Sequence, residues 1–132
     1  MFMRRALALV GLLLVLGGCD AASGRVSPAG ITGRVVVGPV CPVETMPPLP
    51  GCAPRPLAVT LHLRALGRRG PVIGVRSGAD GRFRVVLSPG SYRLHALPRP
   101  GSTLPRPPAE LTVKVHAGRF TSVTISYDSG IR

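Results

Sequence analysis

Between Ile31 and Tyr127 several short runs alternate apolar and polar residues with a period of two, the pattern of strands that bury one face. Leu57, Val59, Leu61 and Leu63 alternate with Ala58, Thr60, His62 and Arg64, which places the aliphatic set on one side. Phe83, Val85 and Leu87 repeat the pattern after an Asp80-Gly81 turn, and Tyr92, Leu94 and Ala96 repeat it after Pro89-Gly90. Leu111, Val113 and Val115 alternate with Thr112, Lys114 and His116, and Ala117-Gly118 leads into Thr121, Val123, Ile125 and Tyr127. Two weaker runs, Ile31 to Val37 and Val72 to Arg76, complete a set of seven. No stretch after Cys19 carries a sustained helical stripe, and prolines interrupt most candidates. The pattern predicts an all-β fold, a seven-stranded antiparallel β-sandwich over residues 30–128 with the aliphatics on its two inner faces.

The N-terminus is built on another plan. Arg4 and Arg5 precede an apolar run from Ala6 to Leu16 that only Gly11 interrupts, and Leu16-Gly17-Gly18-Cys19 follows at once. This is the layout of a signal peptide, and the run is shorter than the roughly 20 residues a spanning helix needs. Leu, two small residues and Cys resemble the lipobox of bacterial lipoprotein precursors. The resemblance implies cleavage before Cys19, a diacylglycerol on its thiol, and a protein held by that lipid to the outer surface of a membrane. Residues 1–18 are then the signal peptide and residues 19–29 a tether to the sandwich. Arg4-Arg5 lacks the polar flanks of a twin-arginine signal, which leaves general secretion as the expected route.

Removing residues 1–18 leaves 15 of the 17 Lys and Arg against all five Asp and Glu, a net charge of +10. Nucleic acid is not expected as a partner: the location is exported, aromatics are few, and the cations form no compact run. Cys41 and Cys52 form an even pair in an oxidising compartment. They bracket four prolines and a glycine with no apolar periodicity, so a disulfide is expected to close this loop. Ten intervening residues do not match the two to four of a zinc knuckle.

The run Ala79-Asp80-Gly81-Arg82-Phe83-Arg84-Val85-Val86-Leu87-Ser88-Pro89-Gly90-Ser91-Tyr92-Arg93-Leu94 resembles the core signature of transthyretin-like sandwiches, including carboxypeptidase regulatory-like domains and collagen-adhesin B-type repeats. Gly30-Ile31-Thr32-Gly33-Arg34-Val35 resembles their opening strand. These are turn and core motifs: Asp80-Gly81 is expected to close a tight hairpin, with Phe83, Leu87, Tyr92 and Leu94 in the core. They carry a fold and not an activity. One transthyretin-like branch hydrolyses 5-hydroxyisourate with a His, Arg and His set and a Tyr-Arg-Gly-Ser end. Here His62, His95 and His116 have arginines nearby, but the chain reads Tyr127-Asp128-Ser129-Gly130-Ile131-Arg132. The adhesin branch builds a Lys to Asn or Asp isopeptide bond, yet Lys114 is the only lysine and asparagine is absent. No nucleophile elbow, phosphate-binding loop or paired carboxylates are present. Neither enzymatic activity nor a cofactor or metal is expected, and a small hydrolase using the histidines is the alternative.

A binding or scaffolding module remains. His62, Arg64, Arg93, His95, Lys114 and His116 all alternate with core positions, and the transthyretin-like topology implies that their strands are neighbours. They are expected to form one basic outer face free of acids. Either that face is a solvated sheet surface, or it takes anionic envelope polymers, lipid headgroups or another envelope protein.

Overall fold

A computed structural model describes residues 26–132; the expected signal peptide, Cys19 and tether residues 20–25 lie outside the described residues. Among the described residues eight strands follow one another without a helix: β1 (Gly30–Gly38), β2 (Arg55–Pro56), β3 (Thr60–Ala65), β4 (Ile73–Arg76), β5 (Arg82–Val86), β6 (Gly90–Ala96), β7 (Leu111–Val115) and β8 (Phe120–Asp128). The seven expected strands are all present. The eighth, β2, has two residues, one of them proline, and is too short for periodicity to reveal.

The strands form two four-stranded sheets, packed as a β-sandwich. In the first sheet β1 is central. One edge pairs antiparallel with β5 from Gly30 to Arg34 and with β2 at Val36 and Val37. Its other edge pairs with β8 over all nine residues, in parallel, the one departure from antiparallel pairing. The second sheet runs β4-β3-β6-β7 and is antiparallel throughout. The three short turns read from the sequence, of which Asp80-Gly81 is the expected hairpin, carry the chain between sheets. Asp80-Gly81 leads from β4 to β5, Pro89-Gly90 from β5 to β6, and Ala117-Gly118 from β7 to β8. Turn chemistry is local and does not specify which sheet receives the next strand.

The alternation resolves as the pattern requires. Ile31, Val35, Leu61, Leu63, Phe83, Tyr92, Leu94, Val113, Val115, Ile125 and Tyr127 are buried together between the sheets. The hydroxyls of the two buried tyrosines reach the rim, where Tyr92 donates to the Ser88 carbonyl at 2.7 Å and Tyr127 donates to the Leu97 carbonyl. Gly33 is required by packing: a Cβ there would lie 2.8 Å from the Phe83 ring and 2.4 Å from the Val123 carbonyl. Gly81 has a φ of +76° and lets its carbonyl accept a bond from Val35 N–H at 2.7 Å, where β1 passes from β5 to β2.

Leu57 and Val59 follow the predicted alternation into the core but precede β3. Ser77 accounts for this. Its backbone N–H donates to the Val59 carbonyl at 2.9 Å, and its buried hydroxyl accepts from Val59 N–H at 2.8 Å and donates to the Leu57 carbonyl at 2.7 Å, extending the pairing beyond the Thr60 to Arg76 rung. Cys41 and Cys52 are joined by the expected disulfide, with Cα atoms 5.3 Å apart. It closes the loop between β1 and β2.

Candidate functional site

The outer face of the second sheet gathers most of the polar residues singled out from the sequence. On β3 and β6, His62 stands directly opposite His95, and Arg64 opposite Arg93. Directly opposed residues in an antiparallel pair have Cβ atoms about 5 Å apart, and successive outward residues along a strand are roughly 7 Å apart. The four side chains therefore form a compact two-by-two array. Lys114 lies one step further along, opposite Ser91, while Thr112 faces Arg93. His116 is not part of the array. It follows the last residue of β7, and the register puts it six residues along the sheet from His95, roughly 20 Å away.

The expectation of a face without acids is corrected by Glu110. This residue sits one position before β7, and the register aligns it with His95. Its carboxylate lies 3.5 Å from Arg93 Nε and 3.5 Å from His95 Nδ1. Both pairs are half exposed, so each contributes at most about 1 kcal/mol. Their effect is orientational: one acid holds Arg93 and His95 while Arg64 and Lys114 have no ion-pair partner among the described residues. The parity of Glu110, Thr112 and Lys114 carried this signal in the sequence. The apolar alternation of the strand begins only at Leu111, one residue after Glu110.

His62, Arg64, Arg93, His95 and Glu110 line a shallow depression of about 250 Å³, with exposed Val72 at its rim. The two histidines thus stand on an open sheet and not in an enclosed pocket, and the third lies elsewhere. Among the described residues no group of three His, Cys, Asp or Glu side chains is placed to hold a metal ion.

The outer face of the first sheet is basic as well; two of its cations are engaged, while exposed Arg34 has no ion-pair partner among the described residues. Arg84 stacks on the Phe120 ring with its guanidinium carbon 3.7 Å from the centroid, and Arg82 lies 3.9 Å from Asp80. At the C-terminus Arg132 grips Asp128 through two bonds of 3.1 and 2.9 Å, and Gly130 N–H donates to the same carboxylate at 2.9 Å. The Arg132 bonds foremost, then that amide, hold the Asp128 carboxyl well below the usual carboxylate range.

No protein-family model and no curated protein matches the chain. Solved structures share its fold. The minor pilin GBS52 of Streptococcus agalactiae superimposes with a TM-score of 0.56 at 19% identity, over 79% of this chain and 46% of the pilin. The Bacillus anthracis TIE protein gives 0.52 at 12% identity, over 79% of this chain and 17% of that one. A DUF3823 family protein from Parabacteroides merdae gives 0.49 at 22% identity, over 76% and 46%. The chain spans less than half of each of these proteins, and at such identities the likeness to the first two shows the fold alone.

Proposed function

We propose that this chain is a lipid-anchored cell-envelope protein whose sandwich is a non-enzymatic binding module, taking anionic groups of the envelope on the outer face of its second sheet. The observation that carries the reading is the array of Arg64, Arg93, His62 and His95 around one shallow depression, with a single carboxylate beside it. An open depression with two exposed guanidinium groups suits phosphate or carboxylate recognition, since Arg presents a planar fork of donors to such groups. The anchor rests on the lipobox-like Leu16-Gly17-Gly18-Cys19, and the extracytoplasmic location also on the Cys41–Cys52 disulfide.

Replacing Cys19 with Ala is expected to move the protein from the membrane pellet to the soluble fraction, because the acyl chains supply the anchoring energy. Retention in the pellet at high salt would refute the anchor. The face is tested in that soluble chain with vesicles of phosphatidylglycerol in phosphatidylcholine. Each surface cation contributes about 1 kcal/mol of attraction to an anionic membrane, so Arg64→Ser, Arg93→Ser and Lys114→Ser together are expected to weaken binding about a hundredfold. The charge-matched control is Arg55→Ser, Arg69→Ser and Arg99→Ser, all exposed outside that face. Equal loss in both variants would mean that net charge alone drives binding and that no dedicated face exists.

A further inference from the structure

The long free edge of the sandwich belongs to β8. This strand pairs with β1 on one side over nine residues, and among the described residues the backbone of its other side pairs at one point only. There Asp128 and Arg106 exchange two backbone hydrogen bonds of 2.8 and 2.9 Å. Backbone groups of alternate residues in a strand point to the same side, so Ser122, Thr124 and Ser126 aim their N–H and C=O groups the way Asp128 does. The odd residues face β1, as the bond from Ser129 N–H to the Gly38 carbonyl confirms. Among the described residues the backbone groups of Ser122, Thr124 and Ser126 have no hydrogen-bond partner, and all three residues are exposed.

Natural sheets protect such edges with charges, prolines, bulges or short strands. Three other edge strands here follow that rule: β4 has four residues and ends in Arg76, β2 contains Pro56, and β5 carries Arg82 and Arg84. From Phe120 to Tyr127, β8 contains no charge and no proline, and Thr121, Val123, Thr124 and Ile125 are β-branched. The single rung at Arg106 shows that this edge accepts an antiparallel segment. Pro107 and Pro108 then end the pairing, because neither has an N–H to donate.

We propose that the β8 edge from Ser122 to Ser126 binds an extended, acidic peptide segment of a partner protein, which adds a fifth strand to the first sheet. Opposite Ser122, Thr124 and Ser126 an antiparallel segment makes up to six backbone hydrogen bonds, two with each residue. Its outward side chains join a polar surface, and its inward ones lie along the side where Val123 is half buried. The domain's charge selects the chemistry: Arg106 and Arg119 flank the edge, and the net charge of the mature chain is +10. A positive field draws an acidic segment and repels a second copy of the chain. Arg106 also fills the place opposite Asp128 that a long pairing of two β8 strands would require.

The test uses the Cys19→Ala chain and a synthetic seven-residue peptide alternating aspartate and valine, read by amide hydrogen exchange and by fluorescence anisotropy of the labelled peptide. In the free chain, Ser122, Thr124 and Ser126 amides are expected to exchange much faster than those of Val123 and Ile125, and the peptide is expected to slow those three at least tenfold. Thr124→Pro is expected to weaken binding at least tenfold while preserving the fold, because the Thr124 N–H takes no part in the ladder with β1. Independently of any protein variant, N-methylating the peptide amides that face β8, or replacing aspartate by lysine, is expected to cause the same loss. The proposal is overturned if the three amides are already slow in the dilute free chain, or if the peptide adds no protection up to its solubility limit. It is equally overturned if N-methylation leaves binding unchanged. Protection that rises with protein concentration in the absence of peptide would assign the edge to a second copy instead.

Discussion

Ser77 offers a direct test of how the second sheet is held at its margin, and the perturbation is Ser77→Ala. The hydroxyl is 2% exposed and bridges Val59 N–H and the Leu57 carbonyl, which have no other partner among the described residues. Alanine fits the space but leaves a buried donor and a buried acceptor unmade. Each lost bond of this kind costs about 1 to 1.5 kcal/mol, with the orphaned N–H at the upper end, so the total is about 2 to 3 kcal/mol. For a domain of about a hundred residues, 1 kcal/mol corresponds to roughly 4 °C in Tm, and the expected drop is about 10 °C. Thermal unfolding followed by far-ultraviolet circular dichroism, with guanidinium titration to obtain the free energy, measures it. The denaturant slope should not change, because the surface exposed on unfolding is the same. A Tm within about 2 °C of wild type would show that the Ser77 bonds contribute nothing net.

Three further outcomes follow from the structure. Cys41→Ala with Cys52→Ala should lower stability by about 3 kcal/mol, the chain entropy released on opening a loop of this size, as read from guanidinium unfolding; a loss under 0.5 kcal/mol would show that the loop is ordered without its bridge. Burial raises the Tyr127 hydroxyl to about 12, against about 10 for an unfolded tyrosine. The folded state then holds its proton more tightly. Its contribution is therefore complete below pH 10 or so and is lost as pH rises through about 12. Tyr127→Phe should flatten that alkaline decline. The Asp128 carboxyl, held low mainly by Arg132, contributes above the ordinary carboxylate range and loses that contribution as pH falls through its lower folded value. Carboxyl carbon NMR should show it titrating at higher pH in Arg132→Ala, and an unchanged titration would refute the pairing.

What the sequence determined by itself is the local pattern. Period-two alternation located seven strands and nearly all of their buried faces, because which side of a strand is apolar depends only on residues two apart. Turn residues marked where strands end, and two cysteines around a proline-rich segment identified a closed loop. The opposition of His62 to His95 and of Arg64 to Arg93 was legible only as shared parity. The tertiary structure decided everything that depends on which strands become neighbours. Long-range pairing brought β8 beside β1 in parallel, and sent the expected Asp80-Gly81 hairpin and two further turns across the sandwich. It also set Glu110 against Arg93 and His95, moved His116 out of the array, and placed Ser77 under Leu57 and Val59. The physical reason is that alternation specifies the face a residue takes but not the partner strand. Partner choice follows from packing the whole core at once, and a residue such as Ser77 or Glu110 acquires its role only from groups that packing brings beside it.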